Sequence, residues 1–200
     1  MSAVKVFVDA DVLHKLYLRK LIFTLHDYEV VKVLWTKEVF DESLRSLTRR
    51  FPDKQVGLYR MFQNYRTHFF DTEVTKFQHL IGQLGCEDPN DEHVLAGAIV
   101  GRASHLLTFN SSDFPANTKE VHGLVIGSPD DMLAQLLMLN QNTDEILAHW
   151  LSLFREPLVS AASGANAMAK SGCPQLATLL MQRAAYVDLK LKQLKGQNLQ

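Results

Sequence analysis

The chain has 200 residues, 46% hydrophobic and 22% charged, with a formal net charge of −1. This is ordinary globular composition, with enough apolar material for one sizeable core, and it excludes a disordered tail and a globally basic nucleic-acid binder. No apolar run approaches the roughly 20 residues needed to span a bilayer, and the chain opens straight into VKVFV without a cleavable leader, so a cytoplasmic protein off the membrane is predicted. Cys86 and Cys173 show no metal-ligand or disulfide spacing and are expected to be inert thiols.

VKVFVD (4–9) predicts a buried strand, because it is β-branched and aromatic, short, and ends abruptly at charge. A helix is expected next, with Val12, Leu13, Leu16, Tyr17 and Leu21 on one face and Asp11 as its N-cap. VVKVLW (30–35) predicts a second strand, followed by a helix that Thr36 caps and that runs through Val39, Phe40, Leu44 and Leu47. The stretch 53–68 is predicted helical, with Tyr59, Phe62 and Tyr65 packing inward. It lies in a locally basic region, where Arg45, Arg49, Arg50, Lys54, Arg60 and Arg66 face only one acid, Asp53. Residues 69–86 suggest a short strand and a short helix.

DPNDEHVLAGAIVGRASHLLTFNSSDFP (88–115) is the most informative segment. Pro89 opens a helix whose small residues Ala96, Gly97 and Ala98 permit close packing on a sheet. SHLLTF (104–109) is then a strand, and VHGLVI (121–126) another. Strands alternating with helices predict an α/β fold with a parallel sheet. From Ser128 onward the pattern is helical only, except that 160–172 is either a loop or a weak helix. Two domains follow: an α/β domain over 1–127 and an α-helical C-terminal extension over 128–200.

In an open α/β sheet, ligands bind outside the carboxyl ends of the strands. Asp9 ends one predicted strand, and Asp113 follows another by a short turn. Glu42 and Asp91 lie on helices able to aim into the same crevice, although Asp41 and Asp88 compete with them for those roles. Each acid alone has a plain structural reading as a cap, a turn residue or a solvated helix residue. Asp11 is either a cap or a ligand, Asn110 either a polar contact or a turn former, and His93 reads as a structural histidine. Four carboxylates in one crevice repel unless a cation neutralises them. Hard oxygen donors without His or Cys favour Mg2+ or Mn2+, and such an ion suits phosphodiester hydrolysis. Arg45, Arg49, Arg50 and Lys54 are candidate phosphate contacts.

VFVDADVL, the Glu of WTKEVFDESL, DPNDEHVLAGA and TFNSSDFP, in this order, resemble the PIN domain, especially the nucleases of VapC-type toxin–antitoxin systems. The resemblance spans about 4–115. It implies a parallel sheet flanked by helices, an Mg2+- or Mn2+-dependent ribonuclease acting on single-stranded RNA, and a cognate antitoxin that occludes the site. Asp9, Glu42, Asp91 and Asp113 match the family's acidic quartet; Asp11 stands where many relatives carry Asn. The extension is longer than compact toxins carry, and its expected roles are antitoxin capture, homodimer formation or RNA selection. Two alternatives remain: a haloacid dehalogenase-like phosphatase, with Asp9 as nucleophile and Asp11 as acid, and a non-catalytic PIN-like module that binds RNA or protein.

Overall fold

A computed structural model describes residues 3–154 and 159–197. The described residues form two compact units: one of residues up to His14 together with Val31–Ser128, the other of Lys15–Val30 together with Pro129 onward. The helical unit thus takes in a segment that the sequence reading assigned to the α/β domain.

The first unit is α/β. Among the described residues its sheet has four strands, β1 (Val4–Val8), β2 (Val31–Leu34), β3 (His105–Leu107) and β4 (Val125–Gly127), in the order β2-β1-β3-β4. Every pairing is parallel, with Val8 opposite Leu107 and Phe7 opposite Leu34. From β1 the chain moves to one side to form β2 and to the other to form β3. The carboxyl ends of β1 and β3 therefore make a topological switch point, where open α/β sheets place their ligand crevice.

Val6, Phe7 and Val8 of β1 and Leu106 and Leu107 of β3 are buried, as strands covered on both faces require. Helix α5 (Glu92–Val100) packs on β1 and β3. Its small residues matter at Gly97, where an added Cβ would come within 2.7 Å of the Phe7 ring and 2.8 Å of the Thr36 methyl. Gly97→Ala is accordingly expected to destabilise the protein by about 1–3 kcal/mol, read by denaturant melts, despite alanine's better helix propensity. An unchanged midpoint would mean that α5 does not lie this close to the sheet.

Helix α1 is a single short stretch (Ala10–Leu13), and the expected long helix resumes only as α2 (Leu16–Asp27). Thr36 caps α3 (Lys37–Arg50) by accepting the Val39 N–H, and α4 (Gln55–His68) packs against α3 through Phe62, edge-on to Phe40. Phe62 points inward as expected, whereas Tyr59 is 57% exposed. The 69–86 segment forms single 3-10 turns, and Glu73 makes an isolated parallel bridge to Trp35. In 121–126 the first residues complete helix α6 (Thr118–His122). Gly123 ends that helix at a φ of 66°, so the strand begins two residues later.

The second unit gathers α2 with α7 (Pro129–Leu139), α8 (Thr143–Ser152), α9 (Ala161–Lys170), α10 (Pro174–Gln182) and α11 (Ala184–Gln197). Trp150 is fully buried and donates its indole N–H to the Tyr17 carbonyl at 2.9 Å. The uncertain stretch 160–172 is a helix, because Ser160 and Ser163 form a reciprocal capping box. Asp130, also buried, accepts the Gln175 and Leu176 N–H groups at the start of α10. No helix among the described residues is long and apolar enough to cross a membrane.

Candidate active site

Asp9 directly follows β1, and its backbone N–H donates to the Leu107 carbonyl at 3.1 Å, so the ends of β1 and β3 are stitched together. Its side chain, only 7% exposed, caps α1 by accepting the Ala10 N–H. The cap is thus Asp9, and Asp11 lies within the first turn rather than before it. The Thr108 hydroxyl donates to Asp9 Oδ2 at 2.8 Å and lies 3.4 Å from Asp11 Oδ2, which accepts the Phe109 N–H at 2.9 Å. Thr108 in turn accepts the Asn110 N–H at 3.0 Å. The sequence reading missed Thr108; its signal is a hydroxyl residue at the end of an otherwise apolar strand.

Burial is the main reason the Asp9 carboxyl is pushed up to about 7, and repulsion from Asp11 and Glu42 adds to it; the Thr108 and Ala10 hydrogen bonds oppose the shift only in part. Asp91 stands at the entrance to α5. It is pushed up to about 6, first by burial and then by the charges of Asp9, Asp88, Asp113 and Glu42. Asp88 is committed to its own turn, accepting both the backbone and side-chain N–H of Asn90 at 2.9 Å. The Asp113 carbonyl accepts the Glu87 N–H at 2.9 Å, which ties the DPND and NSSDF segments together. Glu92, buried beside Asp91, serves the loop behind it by accepting the backbone N–H groups of Gly82 and Gly85. Both glycines hold left-handed φ values, of 84° and 69°.

Glu42 is half-exposed, with His93 Nε2 3.6 Å from its Oε2. His93 is the largest influence on Glu42 and favours its ionised form, helped by His14 and Arg45. His93 therefore belongs to the acid cluster, beyond the structural role expected for it. Of the predicted phosphate contacts, Arg45 and Arg49 line a groove between α3 and α4, whereas Arg50 and Lys54 each lie 5.4 Å from the centre of the Phe51 ring.

Asp9, Glu42, Asp91 and Asp113 thus share one electrostatic field, since Asp91 responds to each of the other three. Among the described residues no three His, Cys, Asp or Glu side chains are gathered tightly enough to ligate a single ion. Mg2+ is commonly held by one or two carboxylates, with waters and substrate phosphate completing the sphere, so the donor set still fits a hard divalent cation. The raised carboxyls carry the electrostatic cost that such an ion would relieve.

The adjacent Cys86 thiol reports the same field: burial first, then Glu92, Asp91, Asp113 and Asp88, push it up to about 11. Asp91→Asn is expected to speed iodoacetamide labelling of Cys86 at pH 8 by roughly 3- to 10-fold, the effect of up to about one pKa unit on thiolate population. Peptide mass spectrometry separates this thiol from the buried Cys173, and an unchanged rate would place Cys86 outside the field of the acids.

No family model, curated protein or solved structure matches this chain.

Proposed function

We propose that the chain is a PIN-type endoribonuclease dependent on Mg2+ or Mn2+, acting as the toxin of a toxin–antitoxin pair in the cytoplasm. The observation that carries this reading is that Asp91, at the entrance to α5, feels the charges of Asp9, Asp113 and Glu42, while Asp9 itself ends β1 at the switch point of a parallel sheet. A divalent ion held by one or two of these carboxylates would supply water activation and Lewis-acid polarisation of the phosphoryl group. Hydrolysis adds water across one P–O ester bond and leaves a phosphate monoester and a free hydroxyl.

Within that reading each side chain has a task. The Thr108 hydroxyl fixes the rotation of the Asp9 carboxylate, and His93 positions Glu42 and keeps it ionised. Asp11 secures the turn after β3 through Phe109. The test is incubation of the purified chain with single-stranded RNA and Mn2+, with EDTA as control. Internal cleavage that EDTA abolishes is expected; intact RNA across varied sequences, or cleavage indifferent to EDTA, would overturn the proposal. The antitoxin partner is tested separately, by asking whether co-expression of the protein encoded next to this chain relieves growth arrest.

A further inference from the structure

Helices α3 and α4 border an open groove of about 570 Å3, within the roughly 300–1,000 Å3 typical of small-ligand sites. Leu44, Val56 and Tyr59 give it apolar and aromatic walls, and Arg45 and Arg49, one helical turn apart, also line it, carrying cationic heads at its border. Val56 and Tyr59 are 69% and 57% exposed, so the protein itself leaves this surface uncovered. The pairing of an open aromatic ring with two exposed arginines suits a ligand that is both planar and anionic. Arg45 lies three residues beyond Glu42 on the same side of α3 and is near enough to favour its ionised form. The groove therefore adjoins the acid cluster.

We infer that this groove receives an unpaired base of the RNA strand next to the scissile phosphate, stacked on Tyr59, with flanking phosphates on Arg45 and Arg49. The inference rests on the nuclease reading and deepens it, since a strand whose phosphate lies at the carboxylates continues past Arg45. It also makes the site selective for single strands, because a base held in a duplex is not available to stack on a side chain. Phosphate contacts alone would bind single and double strands without that distinction.

Binding without catalysis tests it: fluorescence anisotropy in EDTA, with labelled hexauridylate and the same backbone carrying abasic sites. Tyr59→Ala is expected to weaken hexauridylate binding by roughly 5- to 100-fold, and Tyr59→Phe to restore it. The abasic strand should bind the unaltered protein about as weakly as hexauridylate binds Tyr59→Ala. Arg45→Ala and Arg49→Ala should each reduce the salt slope of single-strand affinity by about 0.7. Equal binding of intact and abasic strands by the unaltered protein would overturn the inference. So would competition by an acidic leucine–glutamate peptide accompanied by no base dependence, which would assign the groove to a protein partner. Because no metal is present, failure here leaves the cleavage proposal standing, and absence of cleavage in Mn2+ leaves base selectivity to be read directly.

Discussion

Asp9→Asn is expected to remove RNA cleavage while making the protein more stable at pH 8. Loss of a carboxylate from the proposed metal set should lower the rate by roughly 1,000-fold. The stability gain follows from the shifted carboxyl. In the folded protein Asp9 holds its proton up to about pH 7, whereas an unfolded aspartate releases it near 3.8. Between those values the folded state binds more protons than the unfolded one, so stability falls as pH rises and reaches its floor above about 7. A shift of about three units corresponds to a few kcal/mol. Asparagine removes this cost, but it has one acceptor oxygen where the carboxylate uses two, for Ala10 and Thr108. Losing one such bond returns about 1 kcal/mol, which leaves a net gain on the order of 2 kcal/mol at pH 8. At pH 5 the native Asp9 is protonated while an unfolded aspartate is mostly ionised, so about 1–2 kcal/mol of the cost remains and the net gain should shrink to under about 1 kcal/mol, vanishing as pH falls towards 3.8. Urea melts at the two pH values check this; a variant that is less stable at both, or that still cuts RNA, would contradict it.

Divalent cations should stabilise the protein in a strongly pH-dependent way. Above about pH 7 both Asp9 and Asp91 are ionised and repel, so an ion that binds them relieves that repulsion as well as bringing its own binding energy. At 100 times the dissociation constant the gain is about 2.7 kcal/mol, or several degrees in melting temperature for a chain of this size. At pH 5 protons occupy the same carboxyls and compete, so Mg2+ or Mn2+ should have little effect. Calorimetry at pH 6.5 should show proton release on binding, and Asp91→Asn should remove most of the thermal shift. Equal stabilisation at pH 5 and pH 8 would mean that the ion binds elsewhere.

Much of the crevice is legible in the sequence because charge interrupts apolar strands there. Asp9 after VKVFV and Asp113 after HLLTFNSS are visible as strand ends, and Pro89 marks the turn that presents Asp91. Partners are harder to read. Periodicity puts Val12, Leu13, Leu16, Tyr17 and Leu21 on one face; Val12, Leu13 and Leu21 are buried, but Leu16 is 43% exposed, because the helix breaks after Leu13 and restarts at Leu16, and the pattern does not say that α2 folds with the distant C-terminal helices. Tyr59 and Phe62 occupy similar positions in the pattern of α4; only Phe62 meets a core partner, because α4 covers little of the unit. His93 looks structural until α3 brings Glu42 beside it.

The loop held by Glu92 carries a consequence for how the chain tolerates change in length. Surface turns containing glycine are ordinarily where insertions and deletions do least harm. Here the carboxylate that anchors Gly82 and Gly85 belongs to the residue immediately after Asp91. Adding or deleting even one residue between Ile81 and Cys86 would pull on the first turn of α5 and swing Asp91 away from its neighbours, making this outlying turn as length-sensitive as the sheet.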